Sequence, residues 1–120
     1  MNLMKLSAFS KKKLGQNFLI CEDVAKLAAA YGRGRNVLEL GGGTGILTKQ
    51  LCLQANTVLS VEIDQDLCEE LKKINQPNLR IVCDDFFSIK ESKLTGFDIL
   101  IANIPYNLSS KTLFWLSSHS

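Results

Sequence analysis

Residues 38–47 read LELGGGTGIL, an apolar strand end that runs into Gly41, Gly42, Gly43 and Gly45 and then into a helical pattern. Glycine reaches positive φ and lets a ligand come close to the backbone, so such a cluster at a strand–helix junction marks a loop built around something. Working outward, NVLEL (36–40) is a short buried strand, and GILTKQLCLQA (45–55) places Ile46, Leu47, Leu51 and then Leu53 or Ala55 at helical spacing. TVLSVEI (57–63) is a second strand, rich in β-branched residues. QDLCEELKKIN (65–75) is an amphipathic helix that stops before Pro77. LRIVC (79–83) and FDILIAN (97–103) are a third and a fourth strand. SSKTLFWLSS (109–118) reads as a further helix capped by Ser109 or Ser110, and CEDVAKLAAAYG (21–32) as one ended by Gly32. Strands alternating with helices imply right-handed crossovers and a parallel sheet with helices on both faces. The expected division is a basic N-terminal segment with a helix over residues 1–34 and an α/β parallel-sheet domain over 35–120.

Composition excludes several classes. The chain has 120 residues, 46% hydrophobic and 22% charged, enough for one modest core. Its apolar runs fall short of a membrane span. The first residues lack a continuous apolar stretch behind a charged start, so no signal peptide is expected. Cys21, Cys52, Cys68 and Cys83 form no CxxC pair and have no histidine near them; they are expected as free thiols packed as small hydrophobes, with no metal. The net charge of +2 hides an asymmetry: residues 1–35 carry seven basic against two acidic residues, and the remainder seven against ten. Lys11, Lys12 and Lys13 therefore stand as candidate contacts to a polyanion.

The glycine spacing narrows the ligand. A dinucleotide fingerprint needs G-x-G-x-x-G. Continuing from Gly41 and Gly43 the last position is Ile46, and from Gly43 and Gly45 it is Thr48, so both registers fail. The pattern present is E-x-G-x-G-x-G from Glu39 to Gly45, which resembles motif I of S-adenosylmethionine-dependent methyltransferases. That resemblance implies that Glu39 helps position the amino-acid end of the cofactor. Glu62 lies 21 positions after Gly41, at a strand end, where a carboxylate accepts from both ribose hydroxyls. CDDFF closes the third strand with two acids, Asp84 and Asp85, either of which suits an adenine amino group.

The fourth strand ends in NIPYN (103–107). An exocyclic adenine amine is a poor nucleophile because its lone pair is delocalised into the ring. Acceptors holding its two N–H groups favour pyramidal nitrogen. The Asn103 side-chain oxygen and the Ile104 carbonyl can serve, with Pro105 fixing φ and Tyr106 offering a stacking face to an unpaired base.

Taken together, KKKLGQNFL (11–19), LELGGGTG, VEID, CDDFF and NIPYN make the sequence similar to the ribosomal RNA adenine N6,N6-dimethyltransferase family. The family resemblance implies a Rossmann-like methyltransferase fold, here truncated after the fourth strand, that transfers methyl groups from S-adenosylmethionine to adenosines of small-subunit rRNA. It implies a cofactor site of Asn17, Leu19, Glu39, Gly41, Gly43, Gly45, Glu62, Asp85 and Asn103, with Asp85 favoured over Asp84 because the family's motif runs Asp-apolar there. It implies catalytic roles for Asn103, Ile104, Pro105 and Tyr106, RNA contact through Lys11–Lys13, the small ribosomal subunit as partner, a cytoplasmic monomer and no membrane. Gly15 before Gln16-Asn17-Phe18 favours the small-subunit group over a sister group that acts on large-subunit rRNA. Family members are longer, with further strands, a second aromatic loop and a C-terminal helical domain. The alternative expectation is thus a non-catalytic RNA-binding or ribosome-assembly factor, or an inactive fragment of such an enzyme, with a four-strand sheet leaving an apolar edge open.

Overall fold

A computed structural model describes residues 2–10, 22–90, 95–106 and 111–118; side chains are described for 22–90 and 95–102. Six strands form one sheet in the order β1 (Asn2–Ser10), β6 (Lys111–Ser118), β5 (Ile99–Tyr106), β2 (Asn36–Leu40), β3 (Thr57–Glu62), β4 (Leu79–Cys83). The block β5-β2-β3-β4 is parallel, as the alternation of strands and helices predicts. Helices α1 (Glu22–Ala30), α2 (Ile46–Gln54) and α3 (Gln65–Leu71) fall within the stretches read as helical.

Side chains alternate across the sheet. Val37, Val58, Ile99 and Ile101 point to one face, where they bury Leu47, Leu51 and Cys52 of α2 and Val24, Ala25, Ala28 and Ala29 of α1. Ala25, Ala28 and Ala29 of α1 are fully buried, so this helix approaches closely through its small-residue side. Leu38, Leu59, Val61 and Leu100 point to the other face and meet Phe86, Ile89 and Phe97 from the crossover between β4 and β5. That crossover carries a 3-10 turn over Phe86–Ser88.

Two readings need correction. Residues 111–118 form strand β6 rather than a helix, antiparallel to β5 from Ile99↔Ser118 to Tyr106↔Lys111. Thr112, Phe114 and Trp115 favour extended backbone, and the free edge of β5 offers a ladder that an isolated helical reading does not weigh. Residues Asn2–Ser10, inside the basic N-terminal segment, add β1 antiparallel to β6. The apolar edge expected to stand open is therefore covered. Ser109 and Ser110, the expected caps, lie outside the described residues, as does Cys21.

The second correction concerns the thiols. Cys68 and Cys83 are joined as a disulfide, with α carbons 5.9 Å apart, whereas Cys52 is free and buried. Fifteen positions separate the pair in sequence, and only the β3–α3–β4 crossover brings them together.

Candidate functional site

The parallel strands stay in register up to the end of β2. β2 and β3 pair Leu40 with Val61, and β2 and β5 pair Leu40 with Ala102. The next residues, Gly41, Glu62 and Asn103, therefore stand level with one another just past the end of β2. β3 and β4 pair Glu62 with Cys83, so Asp84 and Asp85 follow directly on the same rim. Ligands in open parallel sheets bind outside these carboxyl ends. Four candidate stretches separated by up to 62 positions in sequence, from Gly41 to Asn103, thus share one edge.

The glycine loop has the backbone its composition predicts. Gly41, Gly43 and Gly45 hold φ of 72°, 58° and 89°, a left-handed conformation that side chains rarely adopt. Gly42 is needed for space instead: a Cβ there would lie 2.5 Å from Ser60 Oγ and 2.7 Å from Leu71 Cδ1. Above Gly43 the space is open, the nearest atom to a built Cβ being the Gly41 carbonyl oxygen at 3.9 Å. The Gly41 N–H donates to the Val61 carbonyl at 2.8 Å, which ties the loop to β3. α2 begins behind the loop with Gly45 as its N-cap and no side chain capping it, so its positive end faces the rim.

Glu62 is buried and organises the loop. Its Oε1 accepts from the Gly43 N–H at 2.8 Å and its Oε2 from the Asp64 N–H at 3.0 Å. A carboxylate has further lone pairs, so a pair of vicinal hydroxyls can still bind here. Asp64 in turn caps α3, accepting from the Asp66 and Leu67 N–H groups. The residue between these acids, Ile63, is 64% exposed despite being apolar.

On the next strand end, the Asp85 side chain accepts from the Phe87 N–H at 3.0 Å and caps the 3-10 turn. Asp84 accepts from the Asp85 N–H and from Ser88 Oγ. Both acids are exposed, and both keep lone pairs for a ligand. Phe87 is 90% exposed and held edge-on by Phe86, with ring centroids 5.5 Å apart. Ile63 and Phe87 are rim residues that the sequence reading passed over. The signal for either was an apolar residue just past a strand-end acid.

Glu39 sits below the rim, fully buried. Its Oε1 accepts from Thr48 Oγ1 at 2.6 Å and Ser60 Oγ at 2.8 Å, while Oε2 has no partner. An orphaned buried carboxylate oxygen beneath a glycine loop suits a cationic group, which is what an amino-acid end offers. Burial raises the Glu39 carboxyl to about 7, opposed by the Thr48 and Ser60 hydroxyls and aided by the nearby Glu62 charge. The buried Cys52 thiol is likewise pushed up to about 11, by burial first and then by the charge of Glu39.

This fixes a pH dependence. The folded-state value lies above the ordinary 4.5, so the neutral acid is favoured by folding. The corresponding stability is full below about 4.5 and is lost as pH rises through about 7. The loss is on the order of 3 kcal/mol. Glu39→Gln keeps an acceptor for both hydroxyls and removes the charge, so its urea midpoint should stay flat across that window while the wild-type midpoint falls. Parallel profiles for the two proteins would exclude Glu39 as the titrating group.

Asn103, Ile104, Pro105 and Tyr106 continue β5 past the end of β2, paired only with Phe114, Leu113, Thr112 and Lys111 of β6. Pro105 therefore meets no ladder demand from β2, which is where a proline can be carried in a strand. Asn17, Leu19, Lys11, Lys12 and Lys13 lie outside the described residues.

Known proteins resemble this chain along most of its length. Residues 8–120 match the family model described as ribosomal RNA adenine dimethylase. A ribosomal RNA small subunit methyltransferase A of Mycoplasmopsis pulmonis is 38% identical over 108 residues, covering 88% of this chain and 42% of the relative. A probable enzyme of the same name from Pyrobaculum aerophilum is 34% identical over 110 residues, covering 91% of this chain and 47% of the relative. The chain spans less than half the length of these relatives. Among solved structures, the 23S rRNA methyltransferase ErmE superposes with a TM-score of 0.61 at 18% identity, over 87% of this chain and 70% of that one. A dimethyladenosine transferase from Plasmodium falciparum gives 0.56 at 16% identity, over 80% and 60%. At such identities the likeness is one of fold, the Rossmann-like methyltransferase fold. With glycine loop, strand-end acids and Asn103–Tyr106 on one edge of that fold and the family model matched along almost the whole chain, the chain belongs to the ribosomal RNA adenine dimethylase family.

Proposed function

We propose that this chain carries the cofactor-binding and catalytic rim of an rRNA adenine N6-dimethyltransferase that acts on adenosines of small-subunit rRNA. The observation that carries the reading is the common level of Gly41, Glu62 and Asn103 at the strand ends. S-adenosylmethionine, when bound, supplies an electrophilic methyl group on a sulfonium. Gly41, Gly43 and Gly45 give its backbone-hugging path, Glu62 takes the ribose hydroxyls, Asp85 (or Asp84) takes the adenine amine, and Glu39 answers the ammonium from beneath. Asn17 and Leu19 close over it. The Asn103 side chain and the Ile104 carbonyl hold the N–H groups of the target adenine, Pro105 braces that carbonyl, and Tyr106 stacks the base. Lys11, Lys12 and Lys13 meet RNA phosphates.

In this reading the protein works as a monomer in the cytoplasm. Among the described residues no helix is long and apolar enough to cross a membrane. The test is incubation with methyl-labelled S-adenosylmethionine and undermethylated small subunits. Label in N6-methylated adenosine is expected. RNA binding without incorporation would replace the enzyme by a non-catalytic RNA-binding or ribosome-assembly factor.

A further inference from the structure

We propose that Cys68 and Cys83 are a reversible thiol–disulfide pair that sets how tightly the rim holds its cofactor. The proposal rests on the reading of that rim as the cofactor site. Each cysteine is placed against one of the acids that frame it. The Cys68 N–H donates to the Asp64 carbonyl at 2.9 Å, and the Asp64 N–H holds Glu62 Oε2. Cys83 ends β4 opposite Glu62 and is followed at once by Asp84 and Asp85. The disulfide therefore ties the first turn of α3, which positions Glu62, to the strand end that presents the adenine acids.

Both redox forms are accommodated. The α-carbon separation of 5.9 Å lies within the span of a disulfide. Cys68 Sγ lies 3.2 Å from the Glu62 carbonyl oxygen, which can accept the S–H of the dithiol. Cys68 is fully buried and Cys83 only half-buried, so exchange begins at Cys83. The thiolate of a small monothiol attacks Cys83 Sγ, forms a mixed disulfide and expels the Cys68 thiolate, which takes up a proton. A second monothiol attacks the small-molecule sulfur and releases the Cys83 thiolate, which is protonated in turn. Two electrons pass to the cysteines, and the two monothiols leave as their disulfide. The oxidised small-molecule disulfide drives the reverse.

With the tie closed, α3 cannot draw Glu62 away from the β4 end, and the site is preorganised. The test uses the wild-type chain equilibrated with reduced or oxidised glutathione. Free thiols are alkylated and located by mass spectrometry, and S-adenosylhomocysteine affinity is measured by calorimetry. Expected are protection of Cys68 and Cys83 at the oxidising ratio and an affinity there on the order of tenfold tighter. Cys83→Ser should bind equally at both ratios. Alkylation of both cysteines at every ratio, or a disulfide that leaves affinity unchanged, would overturn the proposal with the cofactor reading intact. No S-adenosylhomocysteine binding in either state would overturn the cofactor reading and the coupling with it.

Discussion

Asn103→Ala is expected to abolish methyl transfer to adenosine while leaving S-adenosylhomocysteine affinity within about twofold of wild type, because a pre-aimed acceptor acts on the reacting amine and not on the cofactor's ground state. Loss of one such polar group costs on the order of a hundred- to a thousandfold in turnover. Asn103 stands one residue past the Ala102–Leu40 pair, level with Gly41, so its truncation removes a rim group without touching the core pairs below. Single-turnover transfer and calorimetry on the same preparation separate the two effects. A parallel fall in both would make Asn103 a structural residue and take the acceptor role from it.

Glu62→Ala should have the opposite signature, a large loss of cofactor affinity. The Glu62 carboxylate does two things: it holds the Gly43 and Asp64 N–H groups, and it puts a buried acid at the strand end beside the glycine loop. Hydrogen bonds to a charged group contribute about 1.5–3 kcal/mol each, so removing those to a ligand weakens binding on the order of tenfold to a hundredfold or more. Two amides left without their acceptor loosen the loop as well. Glu69→Ala is the control, since Glu69 is exposed and only reaches Lys72 at 3.2 Å. Unchanged affinity in Glu62→Ala would remove Glu62 from the site.

The rim was legible because its parts are written locally. A β-branched run, a glycine cluster and a carboxylate at a strand end each declare themselves within a few residues, and parallel crossovers then leave one arrangement. Strand β6 was not legible for the converse reason. Its ladder depends on the free edge of β5, and a serine-led stretch with apolar residues at mixed spacing satisfies a helical template just as well. The Cys68–Cys83 pair depends on how far α3 carries the chain before β4, which no spacing rule states. Glu39 was recognised from its motif, but its complete burial between Thr48 and Ser60 follows from the alternation of β2 and β3 side chains across the sheet, and with it the rise in its pKa. Phe87 and Ile63 were overlooked because exposure of an apolar side chain is a property of the fold and leaves no pattern in the chain.

The central claim is that the edge shared by the glycine loop, Glu62 and Asn103–Tyr106 binds S-adenosylmethionine and not a dinucleotide. Calorimetric titration of the wild-type chain with S-adenosylhomocysteine and, separately, with NAD tests it most directly. Saturable one-to-one binding of S-adenosylhomocysteine, weakened in Glu62→Ala, with no heat from NAD, is the predicted result. NAD binding at comparable affinity, or no S-adenosylhomocysteine binding, would contradict it.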